Sequence, residues 1–236
     1  MKKLTILITA VAFSLVTSFA NAGTFNFGVM GAVNKVEATG TERTSNPDSS
    51  LNNAKAQNAS VITGSVYAEY ELGEIWPGFA VGFEYTPGSA DVSESIKSRA
   101  EVDTSRTGTA AATTASVTRK AQAEVENFQS IYAEIPLYEA AFVKIGMASI
   151  DVNTLENLGG NSGKYGNKTI DGITLGVGVK GNTTFSDNMH WKLLFEKTNF
   201  DQLTLKSTGN SVAAEVNTIE ADLDVTSLKL GLGYKF

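Results

Sequence analysis

The sequence predicts an all-β fold, an eight-stranded antiparallel up-and-down transmembrane β-barrel. Apolar and polar residues alternate one by one in eight separate segments, which is the period of a β-strand with unlike faces. The connections between these segments alternate between long and short, as in barrels with long loops on one side of a membrane and tight turns on the other. Aromatic residues collect near the predicted strand ends, where a membrane meets water.

The composition excludes several other classes of protein. The 236 residues include no cysteine, one histidine and 22 glycines, and the formal net charge is −6. A chain without cysteine has neither a disulfide scaffold nor a thiolate metal site. Nucleic-acid-binding proteins are usually basic, so we expect no nucleic-acid partner. Apolar residues make up 42 % of the chain, which does not favour disorder.

Residues 1–22 have the pattern of a secretory signal peptide. Two lysines precede a largely apolar run, and an Ala-x-Ala tripeptide ends it. A transmembrane anchor is the alternative, because the run has about the minimum length that spans a membrane. Threonine and serine interrupt the run, however, and no basic stop-transfer cluster follows it. We therefore expect export, cleavage before Gly23 and a mature barrel domain over residues 23–236.

The eight predicted strands follow one another along the mature chain. Their segments are, in order, 25–34, 65–72, 79–86, 130–135, 141–148, 172–180, 190–196 and 219–236. The apolar phase slips near Ser149 in the fifth strand and near Thr198 in the seventh. In the eighth strand the phase reverses, and we predict a β-bulge at Thr226 and Ser227, since one extra residue reverses the facing of a strand.

The long connections are predicted to lie outside the cell and the short ones in the periplasm. The long segments are 41–60, 87–125, 157–168 and 207–217, and the short ones are 74–78, 136–139 and 181–188. Nine aromatics lie toward the short turns, namely Phe25, Tyr70, Trp76, Phe79, Tyr138, Phe185, Trp191, Tyr234 and Phe236. Four lie toward the long loops, namely Tyr85, Phe128, Tyr165 and Phe200. These two girdles favour a membrane barrel over a soluble one, whose apolar face would point inward.

The segment 87–125 is too long for a plain loop. Its flanks 92–102 and 117–125 alternate and lie at nearly equal distances from Gly108. We predict that the third and fourth strands continue beyond the membrane as a protruding two-stranded hairpin, with 104–116 between its arms. The alternative is an Ala/Thr-rich loop without regular structure. The exposed edges of such a hairpin could pair with an extended segment of an extracellular protein partner.

The last strand carries a family resemblance. It ends Gly-Leu-Gly-Tyr-Lys-Phe, with a terminal aromatic and a second aromatic two positions earlier. The whole mature chain resembles Gram-negative outer-membrane β-barrel proteins of the small eight-stranded OmpA/OmpX-type family. The resemblance implies a location in the cell outer membrane, contact with its lipid and lipopolysaccharide, and delivery by periplasmic chaperones to the barrel assembly machinery. It also gives Tyr234 and Phe236 the role of the signal that this machinery reads.

Seven charged residues fall on the polar, inward-facing side of the predicted strands. They are Glu69, Glu84, Glu134, Lys144, Lys192, Glu196 and Lys229. Glu134 and Lys144 have similar heights on neighbouring strands, as do Glu196 and Lys229, so we expect both pairs to form. An eight-stranded barrel is about wide enough for its own side chains to fill. We therefore predict a plugged interior and a structural or surface-interaction (adhesin-like) role, the alternative being a narrow passive channel for ions or small solutes.

The sequence does not predict an enzyme. General acid–base catalysis most often uses histidine, and His190 stands alone at the short-turn end of the seventh strand. Catalysis by carboxylates alone stays open, although no acidic pair stands out at the external rim. Gly159 and Gly160 indicate a turn rather than a phosphate-binding loop. We expect no catalytic, cofactor-binding or metal site.

Overall fold

The computed structural model describes residues 23–43, 55–92, 97–105, 113–121, 123–154, 164–184, 186–208 and 216–236. The predicted signal peptide and Phe185 lie outside these residues. The strands are β1 (Thr24–Arg43), β2 (Lys55–Glu71), β3 (Ala80–Asp91), β4 (Lys97–Ser105), β5 (Thr113–Ala121), β6 (Ala123–Tyr138), β7 (Ala141–Thr154), β8 (Lys168–Asn182), β9 (Met189–Phe200), β10 (Leu203–Lys206) and β11 (Thr218–Lys235). In the described part of the chain, no helix is long and apolar enough to cross a membrane.

Eight strands form the barrel wall. Each is antiparallel to the next in the order β1, β2, β3, β6, β7, β8, β9 and β11, and β11 pairs back with β1. The closing ladder keeps one register from Asn26–Lys235 to Arg43–Thr218. This topology confirms the predicted fold class and the resemblance to eight-stranded barrels. Beyond the end of β9, the short strand β10 pairs with β11.

The predicted hairpin is present, but as a two-stranded sheet of its own rather than as a continuation of the wall strands β3 and β6. β4 pairs with β5 from Lys97–Ala121 to Ser105–Thr113. Pairing therefore reaches further toward Gly108 than the predicted arms, into the segment expected to be the tip. Gly108 itself lies outside the described residues.

The outer face of the wall is an apolar belt, as a lipid environment requires. On β1 it includes Phe27, Val29 and Val33, which are all more than half exposed. Its other large exposed members include Ile62, Val66, Ile145, Met147, Ile173, Leu175, Val177, Trp191, Leu193, Phe195, Leu228, Leu230, Leu232 and Tyr234. Monomeric soluble proteins rarely expose a continuous apolar patch of this extent.

The inner face has two layers. A polar layer lies in the short-turn half, and an apolar cluster lies toward the long loops. The buried members of this apolar cluster are Val36, Ala59, Val92, Val125, Ala148, Ile150, Val152, Tyr165, Ile170, Phe200, Leu203, Leu205 and Leu223. The interior is therefore filled along most of its length, as the barrel's strand number leads one to expect.

The apolar cluster overturns the predicted phase slips. Burial alternates without interruption through Thr198 in β9, and Ala148 and Ile150 stay inward in β7. The ladders of β11 with β1 and β9 keep a constant register, so the bulge predicted at Thr226 and Ser227 is wrong. These strands therefore keep the same face toward the lumen. What changes toward the long loops is the character of the inward residues, from polar to apolar.

The observed irregularities lie in β6 and β3. In β6 the register with β7 shifts between Glu126 and Gln129, and Asn127 takes a left-handed φ of 55°. The Tyr85 hydroxyl donates to Asn127 Oδ1 over 3.2 Å, and Asn127 Nδ2 donates to Asp151 Oδ2 over 3.2 Å. These bonds hold a β-bulge whose extra residue changes the facing of the strand.

The predicted external aromatic girdle is mostly wrong. Tyr165 and Phe200 are buried in the apolar cluster, and Phe128 packs against it from inside the wall. Aromatic rings do cluster at the short-turn end. Trp76 stacks on Phe79 with ring centroids 4.4 Å apart.

Candidate functional site

The strand alternation brings all seven predicted charges into one polar layer. They come from β2, β3, β6, β7, β9 and β11, and every one is buried. An eighth charge, Lys180 of β8, joins them. The sequence reasoning missed Lys180, although it continues the inward series of Gly176 and Gly178 on the same strand. That parity was the signal that could have found it.

Four of these charges form a closed ring across the lumen. The Lys144 ammonium lies 3.0 Å from Glu84 and 2.8 Å from Glu196. The Lys229 ammonium lies 2.5 Å from each of the same two carboxylates. Glu196 and Lys229 lie on the adjacent strands β9 and β11. The other three ion pairs of the ring join strands that are not neighbours in the wall. Ser65 donates a further hydrogen bond of 3.0 Å to Glu84.

A second chain of charges lies beside the ring. Lys192 forms ion pairs with Glu69 and, at 2.7 Å, with Glu134. Glu134 also pairs with Lys180 at 3.0 Å. The Tyr132 hydroxyl donates to Glu69 over 2.7 Å. Four lysines thus balance four glutamates, and each buried charge has an opposite partner, which offsets the cost of removing it from water.

The partners differ from part of the prediction. Glu196 and Lys229 pair as expected. Glu134 and Lys144 face each other in the β6–β7 ladder, yet each forms its ion pairs with other residues. The long lysine side chain reaches past its nearest neighbour to the middle of the lumen, where carboxylates from several strands converge.

Aromatic rings pack around the charges. The Lys144 ammonium lies 4.2 Å from the centroid of Tyr132, and that of Lys192 lies 4.8 Å from the centroid of Tyr67. At these distances the face of a ring attracts a cation. Inward glycines make room for the rings; a Cβ at Gly82 would lie 2.5 Å from Cζ of Tyr132.

His190 lies inside the short-turn end of the barrel rather than on its boundary. It is buried, and its Nε2 lies 3.0 Å from the Tyr67 hydroxyl. Its Nδ1 and the Oδ1 of buried Asn26 have no hydrogen-bond partner among the described residues. Both residues line a polar cavity of about 180 Å³, together with Glu69 and Lys180. A cavity of this size is large enough for several water molecules.

The charged side chains of the polar layer bind one another. Its carboxylates are held by lysines and hydroxyls. Within the described ranges, no group of three or more His, Asp or Glu residues is placed to hold a metal ion.

The two C-terminal aromatics lie on the outside, beside the strand that closes the barrel. The Phe236 ring lies 4.9 Å from that of Tyr234 and 5.7 Å from that of Phe27. The Phe236 N–H donates to the carbonyl of Phe25 over 2.9 Å. Phe236 is 76 % exposed. Its ring is therefore accessible from outside the barrel.

No family model and no curated protein matches the sequence. Among solved structures, the chain is similar to the outer membrane protein OprG from Pseudomonas aeruginosa, with 12 % identity, a TM-score of 0.48 and coverage of 91 % of this chain and 96 % of OprG. It is also similar to Neisserial surface protein A, with 13 % identity, a TM-score of 0.40 and coverage of 92 % and 100 %.

A third similar structure is Ail, the attachment invasion locus protein of Yersinia pestis. The identity is 10 %, the TM-score is 0.38, and the alignment covers 89 % of this chain and 99 % of Ail. Sequence identity to all three of these structures is low.

Proposed function

We propose that this chain is an integral protein of the bacterial outer membrane, with an interior closed to solutes and a structural or surface-interaction role. The outward apolar belt supports a membrane location, since lipid favours such a band. A barrel is also one of the two architectures that can span lipid, because it pairs its backbone groups between strands. The exported-protein pattern of residues 1–22 fits the same location.

The main support for a closed interior is the ring of Glu84, Lys144, Glu196 and Lys229. It bridges the lumen from several sides, and the apolar cluster fills the barrel beyond it. An ion that crossed would have to break buried ion pairs and then pass hydrocarbon side chains. Both steps are costly, because charges are poorly solvated in such surroundings.

Planar-bilayer conductance of refolded chain 23–236 tests the closed interior. We expect no discrete conductance steps from the wild type. The double variant Lys144→Ala/Lys229→Ala removes both cations of the ring and should raise leakage. The matched control is Lys197→Ala, since Lys197 forms an exposed pair with Asp224 on the outer face. Steady steps from the wild type would establish the passive channel instead.

The surface role is proposed for the hairpin of β4 and β5. Each strand is paired on one side only within this two-stranded sheet, so its other edge offers N–H and C=O groups to an extended partner. Vesicles carrying the protein should retain serum proteins, and deletion of 97–121 should reduce that retention. If the deletion leaves retention unchanged while the barrel still folds, the adhesive role is wrong.

We also propose that Tyr234 and Phe236 form the assembly signal. Their exposure beside the closing ladder supports this role. Deleting Phe236, or changing it to a polar residue, should lower the amount inserted in the outer membrane and increase the periplasmic pool. The readout is the yield of the heat-modifiable band in membrane fractions. An unchanged yield would exclude the signal.

A further inference from the structure

The wall strands β2 and β3 stop pairing well before either strand ends. Their ladder runs from Glu71–Ala80 to Val66–Tyr85. Beyond Val66, β2 continues with β1 as its ladder partner, and beyond Tyr85, β3 continues with β6 as its partner. The described wall is therefore unzipped between β2 and β3 in its external half.

The cause lies in the sequence of β3. Pro87 has no N–H to donate to a ladder, and proline in a sheet is confined to unpaired edges and irregular positions. Gly88 follows with a φ of 91°, which is not extended backbone. The register of β3 with β6 shifts at the same place, between Thr86 and Ser89. These residues turn the outer part of β3 away from the regular path.

Behind the unzipped segment lies a cavity of about 80 Å³. Its apolar lining comes from both sides of the gap and from the far wall, and includes Val36, Val61, Ala90, Val125, Phe128 and Val225. The cavity is continuous with the apolar cluster, against which the same side chains pack. Its walls therefore favour hydrocarbon over water.

The polar groups at the inner end of the cavity are already bonded. Asn34 Nδ2 donates to Thr63 Oγ1 over 2.9 Å, and Ser227 Oγ donates to Asn34 Oδ1 over 2.6 Å. Lys229 is paired with two carboxylates of the ring. A bound molecule therefore gains little from hydrogen bonds at the inner end of the cavity. The contacts on offer are van der Waals contacts with apolar side chains.

The gap opens at the outer edge of the apolar belt. Ile62 and Val66 of β2 flank it on the outer face and are 82 % and 50 % exposed. If the chain spans a membrane, as proposed above, hydrocarbon lies directly beside this mouth. The cavity is smaller than the ~150 Å³ apolar cavity that accepts benzene. It therefore fits a narrow, unbranched chain better than a ring.

We propose that the gap between β2 and β3 is a lipid-binding site, which admits the alkyl chain of a surrounding lipid into the cavity beneath Ala90 and Phe128. The head group of that lipid stays outside the wall. This inference rests on the proposed membrane location and adds a ligand class and an entry point to it.

Tryptophan fluorescence in vesicles tests the site. The native Trp76 and Trp191 are changed to Phe, and three single reporters are made in that background. Phe128→Trp places the reporter in the cavity wall, and Ile131→Trp places it on the outward face. Phe142→Trp places it inside the barrel at the short-turn end, behind β7 and its paired neighbours β6 and β8. Each is refolded into phosphatidylcholine vesicles with and without brominated acyl chains.

We expect brominated chains to quench Ile131→Trp and Phe128→Trp and to leave Phe142→Trp bright. Adding Ala90→Phe, which fills the cavity, should abolish the quenching of Phe128→Trp without changing that of Ile131→Trp. If Phe128→Trp is as protected as Phe142→Trp, the lipid site is wrong although the barrel is in the membrane. If Ile131→Trp is also unquenched, the membrane location itself fails. Should Phe128→Trp not refold, Val225→Trp on the far wall of the cavity gives the same comparison.

Discussion

Loss of an ion-pair partner destabilises the barrel more when the remaining charge is buried than when it lies on the surface. Lys192 is almost completely buried and pairs with Glu69 and Glu134. Lys35 pairs with Glu37 on the outer surface, where their side chains are 56 % and 40 % exposed. Removing one member of a buried pair leaves the other charge without compensation, whereas water replaces a lost partner at the surface.

We therefore expect Lys192→Met to lower the free energy of unfolding by ~3–5 kcal/mol. The matched control Lys35→Met should cost at most about 1 kcal/mol. Urea unfolding of both variants in lipid vesicles, followed by tryptophan fluorescence, measures the difference. Equal losses would mean that the interior charges are solvated and that the polar layer does not seal the lumen.

Inward glycines are required where aromatic rings fill the lumen. A Cβ at Gly82 would collide with the ring of Tyr132, whereas a Cβ at Gly31 on the outer face meets no described atom within 4 Å. Gly82→Ala should therefore destabilise the barrel by ~1–3 kcal/mol through overpacking. Gly31→Ala should have little effect or a slight stabilising one. The same unfolding assay compares them, and similar values for both would contradict the proposed packing of Tyr132.

The strands of this barrel have a different apolar pattern on the outer face and on the inner face. The outer face of β11 is apolar at Leu228 and Leu230, whereas nearer the long loops, earlier in the chain, its inner face is apolar at Leu223. A sequence pattern shows only whether the odd-numbered or the even-numbered residues are apolar in each part of a strand. It does not show whether those apolar side chains face lipid or a filled lumen.

The hairpin of β4 and β5 is an element whose pairing can be measured directly. We expect amide protons in alternate positions of 97–105 and 113–121 to exchange slowly in the refolded protein, because ladder hydrogen bonds protect them. The apolar-belt strands give the upper reference for protection. Fast exchange throughout both segments would show that no hairpin forms in solution.

At the scale of the whole molecule, the wall was predictable and the filling of its lumen only partly so. Lipid imposes one rule on every outward position, so the number and order of the eight wall strands follow from local pattern. Their lengths do not, because most wall strands continue beyond the predicted segments; β2 begins at Lys55 rather than Ser65, and β6 begins at Ala123 rather than Ser130. The seven inward charges follow from the same parity. The choice of partner does not, because Lys144 and Glu134 are neighbours in the wall and still bond elsewhere. Partner choice depends on where side chains from opposite walls meet.

The orientation of the barrel is also a property of the whole molecule. We expect single cysteines at Ser49, Gly108, Gly163 and Gly209 to react with an impermeant thiol reagent on intact cells, since they lie in the long segments. Cysteines at Gly78 and Asn182, at the short-turn end, should react only after the outer membrane is opened. The cysteine-free wild type is the blank. The reverse labelling pattern would invert the orientation.

The pairing of β1 with β11 has a consequence for the time course of folding. The hydrogen bond between Asn34 and Ser227 joins residues 193 positions apart, so β1 cannot complete its pairing until β11 is present. Until then, both terminal strands expose unpaired edges that can join other chains. Contacts between such distant residues also make folding slow. We therefore expect the yield of folded barrel to depend on how long these two edges stay unpaired, and a factor that covers them during that interval should reduce aggregation.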